Sequence, residues 1–248
     1  MTLHKPHLPS PLSLIELETV GSTNDHARQL ARAGNTGVIV WAHEQTAGRG
    51  RQGNAWVSAP GNLFMSMVLR PKVNASEIGQ ISLLAGACLA NVLEKIIPAP
   101  NKIHLKWPND LLINEKKAAG ILVETENQGG QQVPWVVVGI GVNVTNAPEN
   151  ATSLYDIGIK THDAAQILEL LAAEIQKLVK QWETDGFEAI RKIWLSHAYK
   201  LGSTIRARLP RETLTGTFED LDRTGALLLT LADGSRRVIS SGEVFAGS

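Results

Sequence analysis

The chain has 248 residues, which at roughly 150 residues per domain predicts one or two domains. It carries 24 Lys and Arg against 24 Asp and Glu, so its formal net charge is zero, whereas proteins that work on nucleic acid or anionic membranes show a basic excess. A single cysteine, Cys88, excludes an internal disulfide framework and a multi-cysteine zinc site. We therefore expect a cytoplasmic globular protein that binds neither nucleic acid nor membrane.

The hydrophobic pattern of the first 200 residues mixes strands and helices along the chain. It predicts strands at residues 14–20, 37–44, 62–70, 103–107, 110–114, 118–125 and 133–144. It predicts a turn at residues 128–130 and helices at residues 22–33, 76–97, 163–182 and 185–198. Ser22, Thr23 and Asn24 offer capping oxygens to the first of these helices.

The pattern changes near residue 200, where short β-like runs are separated by turn residues. These runs cover residues 203–209, 214–221, 225–231 and 235–240. They indicate a small, partly closed β-barrel. The sequence therefore predicts that residues 1–199 combine strands and helices and that residues 200–248 form the barrel.

A glycine-rich loop follows the second predicted strand and carries Arg49 and Arg51. Glycines let the backbone approach a ligand closely, and guanidinium groups suit carboxylates and phosphates. The segment 45–76 holds four basic residues and no acidic one, which favours a local anion site in a neutral protein. A solvated surface loop is equally compatible with this spacing.

Residues 106–110 (Lys-Trp-Pro-Asn-Asp) form a turn at a strand end, which is a common place for functional side chains. Lys116 and Lys117 begin the apolar strand that follows, so Lys117 is a candidate for a position over a cleft. An ordinary turn at Asp110 and a solvated hairpin tip at the two lysines are the alternative interpretations, and spacing alone favours them.

Gly139 and Gly141 alternate within a buried strand, so both face the same side of the sheet. Two missing side chains on one face open a slot for a flat or thin ligand, although close strand packing is an equal explanation. The seven histidines are scattered without ligand-type spacing, and Cys88 lies in an apolar helical stripe. The sequence therefore assigns no metal ligand and no cysteine nucleophile.

Five segments, in this order, resemble the motifs of the biotin–protein ligase family: residues 21–24, 45–51, 106–110, 117–124 and 139–143. Residues 225–229 and 241–244 resemble the C-terminal barrel of that family. The resemblance implies an α+β fold, in which a catalytic domain like that of class II aminoacyl-tRNA synthetases, a mixed sheet flanked by helices, is followed by a barrel of the Src-homology-3 type. It also implies that ATP and biotin give biotinyl-5′-AMP, from which a lysine of a biotin carboxyl carrier domain takes the biotin.

The resemblance also assigns roles to individual residues. It implies biotin binding by Ser22, Thr23, Asn24, Gln45, Gly48, Arg49, Gly50, Arg51, Lys117, Gly120, Gly139 and Gly141. It implies ATP or adenylate binding by Arg49, Arg51, Trp56, Lys106, Asn109, Lys117 and Asn143. Its implied catalytic residues are Lys117, Arg51 and Asp110, of which Lys117 bridges the biotin carboxylate and the α-phosphate while Asp110 assists deprotonation of the acceptor lysine.

Several further expectations follow from the resemblance. Many relatives carry an arginine where this chain has Asn54, so we do not count residue 54 among the anion-binding groups. Members that double as repressors have a helix-turn-helix domain before the ligase part, which here starts near residue 14, so we expect an enzyme without a DNA-binding function. Mg²⁺ is expected with ATP, without assigned ligands, and a homodimer is compatible with the family.

Two alternatives stay open. A lipoate–protein ligase shares the catalytic fold and the acyl-adenylate chemistry, but the Gly-Arg-Gly-Arg loop and the C-terminal β unit favour biotin. A non-catalytic regulator that senses biotin or its adenylate is the second alternative, and the presence of Lys117 together with Arg49 and Arg51 argues against it.

Overall fold

The computed structural model describes residues 5–126 and 132–247, so the predicted turn at 128–130 lies outside the described residues. One sheet contains the strands β1 (Ser13–Val20), β2 (Val38–Gln45), β3 (Leu63–Leu69), β4 (Ile103–Lys106), β5 (Asp110–Ile113), β6 (Lys116–Thr125) and β7 (Val136–Val142). The helices are α1 (Thr23–Arg32), α2 (Gly79–Ile96), α3 (Ala164–Asp185) and α4 (Phe187–Ser196). Two short 3-10 turns cover Arg51–Gly53 and Ala75–Glu77.

The seven strands follow the order β1-β2-β3-β7-β6-β5-β4. β1 and β2 are parallel because α1 crosses between them, and the other neighbours are antiparallel. The predicted mixed sheet is therefore confirmed. In the β6–β7 ladder Gly120 lies directly opposite Gly141, so two positions without side chains stand next to each other on the sheet.

Helices cover both faces of this sheet. α1 packs on one face, where Ala27 and Ala31 contact Val40 and Val137. α2 lies on the other face between the sheet and α3, and it is buried on nearly all sides. The segment Ala75–Ile96 is long and apolar enough to pass a length-and-composition test for a membrane span, but 67% of its apolar window is buried, as in a core helix.

Local capping explains where the helices differ from the predicted bounds. The expected helix at 76–97 begins only at Gly79, because Asn74 and Glu77 form a capping box around the preceding 3-10 turn. Asp163 caps α3 by accepting a hydrogen bond from the Gln166 amide, and α3 continues to Asp185. Gly186, at φ +77°, then separates α3 from α4.

A second, antiparallel sheet is formed by β8 (Thr204–Arg208), β9 (Thr213–Leu221), β10 (Leu227–Leu231), β11 (Arg236–Ile239) and β12 (Glu243–Ala246), in the order β11-β10-β9-β8-β12. The first four strands confirm the predicted β runs. β12 was not predicted, because its four residues are too short to show alternation and become a strand only by pairing with β8.

One continuous core joins the two sheets. The ring of Phe218 in β9 lies 6.4 Å from the ring of Trp194 in α4. The Trp107 indole donates a 3.0 Å hydrogen bond to the carbonyl of Gly225. The α+β class is confirmed, while the division into 1–199 and 200–248 stays a prediction.

Candidate active site

A cavity of about 230 Å³ lies against the sheet where β6 and β7 meet. The glycine-rich loop, the start of α1, the β4–β5 turn and the start of β12 surround it. It brings together all but two of the candidate residues: Ser22, Thr23, Asn24, Gln45, Arg49, Gly50, Arg51, Trp56, Lys106, Asn109, Asp110, Lys117, Gly120, Gly139 and Gly141. Segments distant in the sequence therefore converge on one site.

The start of α1 forms a polar end of the cavity. The Thr23 backbone amide and hydroxyl both donate to Gln45 Oε1, at 2.8 and 3.1 Å, and Gln45 Nε2 donates to Ser58 Oγ at 3.1 Å. Ser22 sits at the N-cap with an extended backbone, but its side chain makes no capping hydrogen bond, so the predicted capping role of its oxygen is wrong. These buried hydroxyl and amide groups can recognise a ligand that carries both donors and acceptors.

Asn24 has a fixed side-chain orientation at this end. Its Nδ2 donates to Glu124 Oε2 at 2.7 Å, and a carboxylate can only accept, so the amide oxygen points the other way. There the fully buried Ser66 hydroxyl lies 2.5 Å from Asn24 Oδ1. A Cβ at Gly139 would stand 2.1 Å from that same oxygen, so Asn24 occupies space that only glycine leaves free.

The space that the glycines leave on the sheet is filled by protein side chains, an indole among them. Added Cβ atoms at Gly141 and Gly120 would stand 2.7 and 2.9 Å from Trp56 ring atoms. Gly139 and Gly141 both face the cavity, as the alternation predicts. The Trp56 ring also receives Lys117 Nζ at 5.3 Å from a ring centroid, which brings the aromatic ring and a cation to the same wall.

Two cationic side chains face the cavity: Lys117, which pairs with one carboxylate, and Arg51, whose hydrogen-bond acceptors are neutral. Lys117 Nζ lies 2.6 Å from Asp110 Oδ1, so the two groups that the sequence placed in catalysis form an ion pair. Arg51 Nη1 donates to Asn109 Oδ1 at 3.2 Å and to the Gly242 carbonyl at 3.1 Å. Burial lowers the pKa of Arg51, and the nearby carboxylates of Asp110 and Glu243 counteract part of that effect.

Arg49 is placed differently. Its guanidinium forms a two-pronged pair with Asp25, at 2.7 and 2.8 Å, and also contacts Glu124 at 3.0 Å. The side-chain hydrogen bond with Asp25 raises the pKa of Arg49 and lowers that of Asp25. Arg49 thus lines the cavity with its charge already paired.

Two candidate residues are not part of the cavity wall. Asn143 follows the end of β7, and its side chain donates to the Thr152 carbonyl at 3.2 Å, which holds a neighbouring segment instead of facing the cavity. Gly48 borders the site: a Cβ there would stand 2.4 Å from Ser58 Oγ, so glycine allows the loop to close on itself.

Sequence reasoning missed other lining residues: Asn54, Ala55, Phe64, Met65, Trp107, Pro108, Ile121, Leu122, Ile140, Glu243 and Val244. Some of them lie inside recognised motifs that assigned them no ligand contact: Trp107, Pro108, Ile121, Leu122 and Ile140. Glu243 and Val244 had no local signal toward the site, because only the docking of the second sheet brings them there. Within residues 5–126 and 132–247, no group of three or more His, Cys, Asp or Glu side chains could hold a metal ion.

Comparison with known proteins agrees with this geometry. The sequence model of the biotin/lipoate A/B protein ligase family matches residues 17–143, and that of the biotin protein ligase C-terminal domain matches residues 200–247. The biotin–[acetyl-CoA-carboxylase] ligase of Paracoccus denitrificans is 39% identical over 240 residues, covering 93% of this chain and 99% of that protein. The corresponding ligase of Mycobacterium tuberculosis is 37% identical over 90% of this chain and 85% of its own length.

A solved structure has the same fold. The biotin protein ligase of Aquifex aeolicus in complex with biotin and ATP superposes with a TM-score of 0.79 at 32% identity, covering 94% of this chain and 97% of that chain. This likeness supports the predicted class II synthetase-like domain and the C-terminal barrel-type sheet. The chain belongs to the biotin protein ligases of the biotin/lipoate A/B protein ligase family.

Proposed function

We propose that the protein activates biotin with ATP to biotinyl-5′-AMP and transfers the biotinyl group to a lysine of a biotin carboxyl carrier domain. The observation that carries this proposal is one cavity lined by polar groups of α1, by glycines of β6 and β7 and by the cations Lys117 and Arg51. A ligand with a polar ring end, a thin body and a carboxylate suits such a lining. Biotin has this shape, and the Aquifex aeolicus ligase of the same fold was solved with biotin and ATP.

Adenylation brings two anions together, and the chain provides the charge for it. A biotin carboxylate oxygen attacks the α-phosphorus, the bond from that phosphorus to the bridging oxygen breaks, and pyrophosphate leaves. Lys117 and Arg51 face the cavity and stabilise the negative charge that builds up between carboxylate and phosphate. Trp56 and Asn109 border the region left for the nucleotide.

Transfer needs a base and a leaving group. The amine of the acceptor lysine attacks the acyl carbon, AMP leaves with the bonding electrons, and the amine loses a proton. Asp110 is the lining carboxylate nearest to Lys117 and accepts that proton in this proposal. In this proposal Mg²⁺ enters with ATP as part of the substrate.

The polar end of the cavity favours biotin over lipoate. The dithiolane ring of lipoate offers neither strong donors nor strong acceptors to the groups around Thr23, Asn24 and Gln45. Beyond the hydrogen bonds that they make to one another, these hydroxyl and amide groups keep donor and acceptor capacity that the polar ring of biotin can use and a dithiolane cannot.

The remaining proposals concern the setting of the reaction. We place the protein in the cytoplasm, with a biotin-dependent carboxylase as partner and without nucleic acid or membrane. Residues 1–199 and 200–248 are proposed as catalytic and C-terminal domains. A homodimer stays a prediction, for which β1 at the sheet edge offers a contact.

Incubation of the purified protein with Mg–ATP, biotin and a carrier domain tests the function. Mass spectrometry should show a carrier heavier by one biotinyl group, and the product should require both ATP and biotin. Lipoate in place of biotin should give no modified carrier. Modification by lipoate alone would support the lipoate ligase, and binding of biotin without any modification would support a regulator.

A further inference from the structure

Arg49 joins three elements of the fold through one guanidinium group. It belongs to the glycine-rich loop, while its partners Asp25 and Glu124 belong to the first turn of α1 and to β6. Four contacts between 2.7 and 3.1 Å involve its two terminal nitrogens. Such two-pronged pairs hold a guanidinium in one orientation more firmly than a single contact.

The charge around Arg49 opposes a role in binding anions. A phosphate or carboxylate that approached this guanidinium would have to displace one carboxylate and would be repelled by the other. Arg51 contrasts with it, since both hydrogen-bond acceptors of its guanidinium are neutral. The two arginines of one motif therefore have different electrostatic surroundings.

Backbone hydrogen bonds within the glycine-rich loop couple the position of Arg49 to that of the other loop residues. Arg49 forms a β-bridge with Ala55, the Gly50 amide donates to the Asn54 carbonyl at 2.7 Å, and the Trp56 amide donates to the Gly48 carbonyl at 3.0 Å. These hydrogen bonds thus hold residues 48–56 together as one unit. Fixing Arg49 fixes the positions of Arg51 and Trp56 over the cavity.

We propose that Arg49 is a positioning residue whose pairs with Asp25 and Glu124 anchor the loop over the cavity, and that it does not bind the anionic groups of the ligands. This inference rests on the proposed function for its kinetic consequences, but the anchoring is a property of the free protein. It replaces the role in carboxylate and phosphate binding that the family resemblance implies for Arg49.

Asp25 gives the sharpest test because it lies outside the cavity wall and Asn has the same shape. In Asp25→Asn, amide hydrogen exchange of residues 48–56 in the free protein should rise about three- to fivefold, the upper end for a partly exposed ion pair, since the anchor loses its charge partner. The KM for biotin should rise, or kcat fall, by about two- to tenfold. Arg49→Lys should behave similarly, because an ammonium keeps the charge but loses the two-pronged geometry.

Arg28→Ala is the matched control. Arg28 lies 3.4 Å from Asp25 and 3.8 Å from Glu124 but belongs to α1, so its removal takes away a positive charge, as Arg49→Ala does, without releasing the loop. Loop exchange and kinetics should stay within about twofold of wild type. The double variant Arg49→Ala with Asp25→Asn should be no worse than Arg49→Ala alone, as expected for two partners in one interaction.

Unchanged loop exchange in Asp25→Asn would overturn the proposal, because it shows that the pair does not anchor the loop. Tighter binding of ATP or biotin in that variant, or additive losses in the double variant, would also overturn it, because either shows that Arg49 acts on ligands independently of Asp25. Exchange is measured without any reaction. A wild-type protein that fails to biotinylate the carrier while Asp25→Asn loosens the loop would therefore refute the proposed function and leave the anchor standing.

Discussion

Gly139→Ala probes how the side chain of Asn24 is held. The new Cβ would stand 2.1 Å from Asn24 Oδ1, far inside contact distance, so the Asn24 amide has to move. Movement breaks the 2.7 Å hydrogen bond from Asn24 Nδ2 to the Glu124 carboxylate. A hydrogen bond to a charged group contributes about 1.5–3 kcal/mol, and 1.36 kcal/mol equals a factor of ten in affinity.

Two measurements separate the effect of Gly139→Ala on the stability of the fold from its effect on biotin binding. Biotin affinity from calorimetry should fall at least about tenfold if Asn24 can no longer reach the ligand. A decrease in the unfolding free energy of the free protein should lower its melting temperature by about 2–4 °C per kcal/mol. Gly21→Ala is the matched control, because a Cβ at Gly21 meets nothing within 4 Å. Wild-type affinity together with a wild-type melting temperature in Gly139→Ala would refute the reasoning.

Three further predictions concern single side chains. Lys117→Ala should slow adenylate formation about 10²–10³-fold with a smaller loss of biotin affinity, measured by pyrophosphate release and calorimetry, and equal losses would contradict its role at the reacting atoms. Burial raises the pKa of the Cys88 thiol, so an alkylating reagent should modify it only in unfolded protein, and rapid labelling of native protein would contradict this. Although burial works against the charge of Glu174, an amide and two ammonium donors lower its pKa, so its stabilising contribution is complete above about pH 4.5 and is lost as the pH falls further. The difference in unfolding free energy between wild type and Glu174→Gln should shrink over that range, and a constant difference would contradict it.

Features with a short period could be predicted from the sequence. The alternation of Gly139 and Gly141 predicted that both face the same side of the sheet, because strand side chains repeat every two residues. Asn143 shows where this stops: β7 ends at Val142, so Asn143 leaves the strand and its amide turns to Thr152. The end of a strand, and with it the direction of the next side chain, depends on tertiary contacts.

Pairings between distant segments could not be predicted. Arg49 meets carboxylates 24 and 75 residues away, and Arg51 meets a carbonyl 191 residues away. Acidic residues are frequent along the chain, and the sequence does not distinguish which of them lies beside the loop. The motif therefore assigned the same role to two arginines that the fold places in different electrostatic environments.

The hydrogen bond from Arg51 to the Gly242 carbonyl links ligand affinity to the integrity of the second sheet. A ligand that binds only the assembled cavity stabilises both sheets together, by about 2.7 kcal/mol at a concentration one hundred times its Kd. Substitutions in the second sheet that never touch a ligand, such as a truncation of Phe218, should therefore weaken binding. Saturating ligand should restore cooperative melting of such a variant, since the binding energy compensates for the weakened attachment of the second sheet to the first.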